Sequence, residues 1–574
     1  MTFTISNGLW TKGTTLLLIV HALSRRAQSS STWCGKHYLA GDPVVDPQGR
    51  FSAVLDATVV APLYRLQCLP RIQPLIQEDA CDTVSILISI EGLPRYDSVV
   101  PANLPMISLA IDVEGQNVLL ESINATKPRN IDHEAHISIC STIMPRRESF
   151  NISCRARIEH PDGQGLILDA TSTLSYLPTP KDGSVTKLDR KTGGMLVKAA
   201  SGSFEPIFPI GFYTDFGGYL ATNLTILDEL KKQGFNVVHP VPPFEDNAAL
   251  EAILNRMDEI GLYLMYDMRH SYRDLQALTE QVERIKHHKS LLLWYTADEP
   301  DGPGDPLDAT PASYDRIYEL DGYHPISLAL NCQDHFFKEY VSGADVVLLD
   351  VYMIGVNAVF SSKYDAPCTR EFGCCGCDNC EGQFDDLRQR LDDANARLRV
   401  LEWDRMKFIW SVTQAFGGSE FWSRPPTGRE WLVQAIISIN HGIIPWIDPT
   451  PNDIKQAASR LALVLPRMTR FLFTPNTIFA RQVTPALDIA SWSIGPEVLW
   501  LATNLSNDTV GGVTLPVSAE GITGRPLPYQ WLLSENAVIT PDGVLVLGPF
   551  GSAILVSSKL HLVAQPQSTE HDEL

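Results

Sequence analysis

No stretch of this 574-residue sequence is apolar for long enough to cross a bilayer, and basic residues are scarce beside acidic ones. The first absence argues against membrane insertion. Lys and Arg total 46 against 67 Asp and Glu, a formal net charge of −21. Such a surface repels phosphate backbones and anionic lipid, which disfavours nucleic acid as a partner and suits a neutral ligand. No glycine-rich phosphate loop opens the central region, so a dinucleotide-binding doubly wound sheet is the weaker reading there. Internal repeats and long low-complexity linkers are missing too. Neither a cofactor nor a metal is expected.

What is present begins at the two ends. Lys12 and the apolar run Thr14 to Leu23, followed by Ser24-Arg25-Arg26, have the size and order of a signal peptide over residues 1–28. The last four residues, His571-Asp572-Glu573-Leu574, form an HDEL tail, an address read by a retention receptor of the endoplasmic reticulum. Together they predict residence in that lumen, with the HDEL receptor as a partner. Sequons at Asn124, Asn151, Asn223, Asn504 and Asn507 agree with a secretory route. So do the 11 cysteines, which an oxidising lumen would pair, leaving at least one thiol unpaired within the chain.

The length calls for two or three domains. Residues 29–201 alternate in strand fashion at Val84 to Ile90, Ile107 to Val113, Ile137 to Ile143 and Ile152 to Ile158, which predicts a β-sandwich. Residues 205–468 alternate strand with helix. Eight strand–helix units in this span are the count and size of a (β/α)8 (TIM) barrel. The segment that opens at Leu291 and ends in Asp298-Glu299-Pro300 is the fourth strand, and the helix Asn247 to Ile260 places Leu250, Ile253, Leu254, Met257 and Ile260 on one face. Short strands return over 469–560, predicting a small C-terminal β-domain, with 561–574 as a polar tail carrying HDEL.

Functional residues of such barrels come from the C-terminal ends of the strands. That register gathers Asp215, His239, Asp267, Arg269, His270, Asp298, Glu299, Asn331, Asp334, Asp350, Gln414 and Asp448 with the aromatics Tyr213, Tyr295, Tyr352 and Trp446. Carboxylates beside aromatic rings are the inventory of a carbohydrate cleft: acids for the glycosidic oxygen, rings for the apolar face of a pyranose. About half of these groups are expected to serve structure instead, as helix caps or ion-pair partners. The most telling segment is Leu291-Leu292-Leu293-Trp294-Tyr295-Thr296-Ala297-Asp298-Glu299-Pro300-Asp301, a buried strand that ends in aromatics and three acids. Glu299, Asp298 and Asp350 are the candidate catalytic residues. Tyr213, Asp267, Tyr295, Tyr352, Gln414 and Trp446 are the candidate substrate contacts.

The runs Gly193-Gly194-Met195-Leu196-Val197 and Pro206-Ile207-Phe208-Pro209-Ile210-Gly211-Phe212-Tyr213, with Asp298-Glu299-Pro300, carry a resemblance. They resemble the approach to the barrel, and the Asn-Glu-Pro end of the fourth strand, in family 2, 35 and 42 type glycoside hydrolases. The resemblance covers the barrel, roughly half of the chain, and implies a glycosidase with Glu299 as general acid/base. Those enzymes end their seventh strand in a nucleophilic Glu, where this sequence has Gln414. Three readings follow. Asp350 serves as partner carboxylate, Asp298 and Glu299 work as a pair on a substrate whose own acetamido group attacks, or the protein binds glycans without cleaving them.

Cys332 follows the fifth strand, and Cys368, Cys374, Cys375, Cys377 and Cys380 crowd the loop after the sixth. A CxxC pair such as Cys377/Cys380 suits zinc in a reducing compartment and a disulfide in an oxidising one. The expectation is three disulfides among these six, stapling a loop over the cleft. The pairing of Cys34, Cys68, Cys81, Cys140 and Cys154 is open.

Overall fold

The computed structural model describes residues 31–51, 64–79, 81, 83–92, 106–124, 130–159, 165–199, 201–439, 443–446, 448–514, 529–541 and 543–558. The signal-peptide and HDEL expectations fall outside these residues, as do part of the Asn124 sequon and the side chain of Trp446.

Two antiparallel sheets come first. Tyr64–Pro70, Val84–Gly92 and Asn130–Ile137 form one, and Gly165–Leu174, Phe150–Glu159, Met106–Val113 and Gln116–Asn124 the other. Alternation decides their faces: Ile107, Leu109, Ile111 and Val113 point into the shared core while Met106 is exposed. The strand expected over Ile137 to Ile143 lies earlier, at Asn130–Ile137. Its polar alternation (His133, Glu134, His136) hid it, and the chain after Ile137 turns so that Cys140 meets Cys81.

Eight parallel strands follow, in sequence order across one sheet: β1 Gly211–Asp215, β2 Val237–Val241, β3 Tyr263–Asp267, β4 Leu291–Asp298, β5 Ile326–Leu330, β6 Val346–Asp350, β7 Phe408–Gln414 and β8 Ile443–Trp446. The sheet curls until its edges meet. Asp448 N–H donates to the Tyr213 carbonyl at 2.7 Å, and Asp215 N–H to the Asp448 carbonyl at 3.0 Å. This curled sheet is compatible with a (β/α)8 barrel. Gly211 permits the closest approach, since a Cβ there would stand 1.7 Å from the Val237 carbonyl oxygen.

The connecting helices cover the outside. Asn247–Ile260 begins where Asp246 caps Ala248 and Ala249 N–H and ends at Gly261 in the left-handed region; Leu250, Ile253, Leu254 and Met257 of the expected apolar face are buried and Ile260 is partly so. The helix Asn452–Leu472 runs past the expected boundary at 468, because Leu465, Met468 and Phe471 continue its buried stripe. Leu188, Met195 and Val197, from the small sheet that precedes β1, pack with Val237, Met265, Leu292 and Val346 at the N-terminal end of the parallel strands. That end is filled with apolar side chains, so the polar chemistry collects at the other.

The C-terminal region is a six-stranded antiparallel sheet. One face holds its own core of Leu487, Ile489, Leu545 and Leu555. The opposite face lays Trp492, Leu499, Leu501 and Ile554 into the helix layer. Two further expectations change. Asn504 is buried, and its Nδ2 is spent on the carbonyls of Asp508, Leu547 and Gly548, so it is no glycan acceptor in the folded chain; Asn151, Asn223 and Asn507 are exposed. Residues 32–51, expected to start the sandwich, lie instead along the loops after β4, β5 and β6: Cys34 N–H donates to the Gly302 carbonyl, Phe51 N–H to Asp334, and Gly373 N–H to His37.

Candidate active site

Strand parity assembles the site. In β2, β3 and β6 the inward positions continue from Val237, Met265 and Leu348 to His239, Asp267 and Asp350. β4 breaks its parity with a bulge. Tyr295 pairs with Ser327, but Asp298, three residues on, pairs with Ala329, two residues on. The extra residue turns Asp298 where alternation alone would have turned Ala297. Glu299 then adopts a left-handed backbone (φ 50°) and donates its N–H to Ala329. A non-glycine residue held there stores strain that its surroundings must offset.

Two acid groups result. In the first, Asp267 accepts from His239 Nε2 at 2.7 Å, from Arg269 Nε at 2.7 Å and from Arg269 N–H at 2.8 Å. Arg269 Nη1 reaches Asp298 at 2.5 Å, and Tyr295 Oη donates to the other Asp298 oxygen at 2.5 Å. Burial works to raise Asp267, but the charges of Arg269 and then His239 overcome it and hold the carboxyl below its usual range. Burial keeps His239 below the ordinary imidazole value although Asp267 opposes this. Tyr213 stacks on His239 with centroids 4.0 Å apart, and Tyr295 meets both rings edge-on.

In the second, Glu299 and Asp350 are hydrogen-bonded to one another. Asn331 Nδ2 donates to Glu299 Oε1 at 2.7 Å, and Tyr352 lies beside Asp350, where it works to lower that carboxyl. Burial, then the charge of Asp298, pushes Glu299 up to about 7. Burial, then the charge of Glu299, raises Asp350 well above the carboxylate range. The pair therefore shares a proton near neutrality. The other oxygen of Asp350, Oδ1, is buried with no protein partner among the described residues.

The candidates do not all converge. Gln414, expected to contact substrate, is fully buried. Its Oε1 accepts from Ile354 N–H at 2.9 Å, and its Nε2 donates to the carbonyls of Ile354 (3.0 Å) and Phe416 (3.1 Å). The amide fastens the loop after β6 and keeps no donor for a sugar. Asp448 is paired with Lys455, Asp215 caps Gly218 N–H, and His270 points to solvent. Two contributors, Trp33 and Trp422, escaped the sequence reading, and Asp301, one of the three acids it singled out, has a part it did not assign. Trp33 Nε1 donates to Asn331 Oδ1 at 2.9 Å, fixing the amide that holds Glu299. Asp301, raised to about 7 chiefly by burial, accepts the N–H groups of Asn331 and Cys332. Trp422 donates to the Tyr352 carbonyl at 2.7 Å. Asn331 was readable from its place after β5, whereas nothing local marked Trp33.

The cysteines pair as Cys34–Cys332, Cys68–Cys154, Cys81–Cys140, Cys368–Cys375 and Cys377–Cys380, with Cys374 free. The expected three bridges within the cluster are two, because Cys332 is taken by Cys34. Lys36 adds to this tie through Asp378 at 2.5 Å.

No protein-family model and no curated protein matches the sequence. Among solved structures, the chain is similar to a GH2 beta-galacturonidase from Eisenbergiella tayi bound to galacturonate (14% identity, TM-score 0.30, 67% of this chain and 65% of that one). It is also similar to a beta-glucuronidase from Ruminococcus gnavus in complex with D-glucuronic acid (14%, TM-score 0.32, 66% and 62%) and to an alpha-amylase from Anoxybacillus (12%, TM-score 0.38, 60% and 92%). The chain spans less than two thirds of the first two. These neighbours are glycoside hydrolases of differing specificity.

Proposed function

We propose that the protein is a glycoside-hydrolase-like (β/α)8 barrel, preceded by a β-sandwich and followed by a β-domain, that acts on O-glycosidic bonds of glycans in the secretory pathway. Glu299 is its general acid/base. What carries this is the Glu299–Asp350 pair: two buried carboxyls at the ends of β4 and β6 that act on one another's ionisation, with burial and the charge of Asp298 pushing Glu299 up to about 7. A carboxylic acid that keeps its proton at neutral pH can deliver it to a leaving oxygen. Asp350 is the partner in preference to Asp298, whose two oxygens are already taken by Arg269 and Tyr295.

The test is a panel of aryl glycosides with wild type and Glu299→Gln. Loss of general acid/base help costs about 10²–10⁴-fold in rate. Equal rates would overturn the assignment of Glu299. Deep burial of the pair also sets the pH response: activity declines as pH rises through about 7, where Glu299 gives up its proton while Asp350, raised further, keeps its own. Residence in the endoplasmic reticulum rests on the apolar N-terminal run and HDEL. Deleting His571 to Leu574 should send the protein to the medium.

A second reading, glycan binding without cleavage, is favoured by one feature: β7 ends in Gln414, an amide spent on backbone, where related enzymes hold a carboxylate. Sugar binding with no hydrolysis of any glycoside would select it.

A further inference from the structure

Six aromatic side chains stand in continuous contact from the carboxyl pair to the rim of the cleft, and no role described above uses their outer members. Tyr352, which lies beside Asp350, meets Phe416 at 4.9 Å between centroids and Trp422 at 6.1 Å, and Phe416 meets Trp422 at 4.8 Å. Trp422 meets Phe421 at 5.4 Å, Phe421 meets Tyr364 at 5.8 Å, and Tyr364 meets Tyr38 at 4.4 Å. Tyr352 is buried, and the other five are partly exposed. They come from three separate pieces of chain: the segment tied down by Cys34–Cys332, the loop after β6 and the loop after β7. A core of ordinary loops buries its rings. This one leaves five of them partly exposed, in a series that begins at Tyr352 beside Asp350.

We infer that this file is an extended binding track for a neutral oligosaccharide, so that the protein engages a glycan chain of several residues and not a single terminal sugar. The inference rests on the carbohydrate reading of the Glu299 site and deepens it. A pyranose is a six-membered ring with an apolar face of C–H groups and a rim of hydroxyls, close in size to one phenyl ring. Aromatic rings in file therefore offer room for more than one sugar, each gaining the contact of a half-buried ring. The Lys363–Glu420 ion pair (2.9 Å) lies among them, with Lys363 Nζ 4.9 Å from the Phe421 ring, and both its heads are open to solvent for hydroxyl contacts. The charge of the track selects the sugar. Lys363 is bound to Glu420, Lys36 to Asp378 and Arg269 to Asp267 and Asp298. None of these cations is left to receive a uronate, while the acids beside them repel one.

The experiment uses the full chain and Glu299→Gln, which keeps the track and cannot cleave through its acid. The probes are gluco-, manno- and chito-oligosaccharides of one to six residues and a matched oligogalacturonate, read by calorimetry and tryptophan fluorescence. The expected result is affinity for at least one neutral series that grows about tenfold between two and five residues, with no binding of the galacturonate. Tyr364→Ala and, separately, Tyr38→Ala, both on the rim, should flatten that growth and leave the affinity for the shortest bound sugar unchanged. Monosaccharide and pentasaccharide binding with equal affinity would overturn the track and leave the carboxyl site standing. Preference for the galacturonate would overturn the neutral class. Binding of no sugar at any length would overturn both the track and the carbohydrate reading.

Discussion

Asp267 and Glu299 carry the same functional group at the ends of neighbouring strands, and their surroundings push them in opposite directions. Both leave water, which by itself raises a carboxyl. Asp267 meets Arg269 and His239 and is held low, while Glu299, pushed by burial and then by the charge of Asp298, rises to about 7. One cation makes the difference. Arg269 spans Asp267 and Asp298 and stops there, leaving the next two acids to solve their repulsion by keeping a proton. A site thus obtains a fixed anion and a proton donor from one residue type, by where it places a single guanidinium.

The largest effect should come from removing that cation. Arg269→Met leaves two acids uncompensated and is expected to destabilise the fold by about 3–5 kcal/mol, read as a shift in urea midpoint with unchanged slope. Gln414→Glu asks whether the missing carboxylate can be restored at β7. Its new oxygens would face the Ile354 and Phe416 carbonyls in a fully buried position. The expected outcome is a loss of about 2–4 kcal/mol with no gain in glycosidase rate; a gain in rate would show that the position is catalytic after all.

Glu299→Gln tests the raised member of the comparison. A carboxyl with a raised folded pKa favours the native state at low pH, and that contribution is lost as pH rises from the ordinary value of 4.5 to about 7. Gln keeps an oxygen for Asn331 and offers N–H to Asp350. Its melting temperature should therefore fall less than that of wild type between pH 5 and pH 8, a relative gain of about 2–3 kcal/mol. The smallest effect belongs to Trp33→Phe. Without its indole N–H the Asn331 amide is loosened, and the donor that lowers Glu299 weakens. The Glu299 titration, followed by infrared difference against Glu299→Gln, should move up by less than about half a pH unit, and Asn331→Ala should move it further in the same direction.

Much of this was legible because it follows local periodicity. Alternation in β2, β3 and β6 points His239, Asp267 and Asp350 inward, and the 3.6-residue period sets the buried face of Asn247–Ile260. What stayed hidden depends on residues far apart in sequence. The β4 bulge that turns Asp298 inward is a pairing irregularity with β5, invisible in Tyr295-Thr296-Ala297-Asp298 alone. Gln414 read as a sugar ligand because the return of Ile354 towards it is a tertiary event. Trp33 lies 298 residues from Asn331, and only the Cys34 partner could have joined them.

The Cys34–Cys332 bond has one more consequence, in covalent topology. It closes a ring of chain that contains the sandwich, β1 to β5 and two smaller rings, Cys68–Cys154 and Cys81–Cys140, while β6 to β8 and the C-terminal sheet hang from it as a tail. A protease that cuts the chain once between residues 34 and 332 therefore releases nothing. The nicked protein should run as a single species on a non-reducing gel and separate into two only after thiol is added.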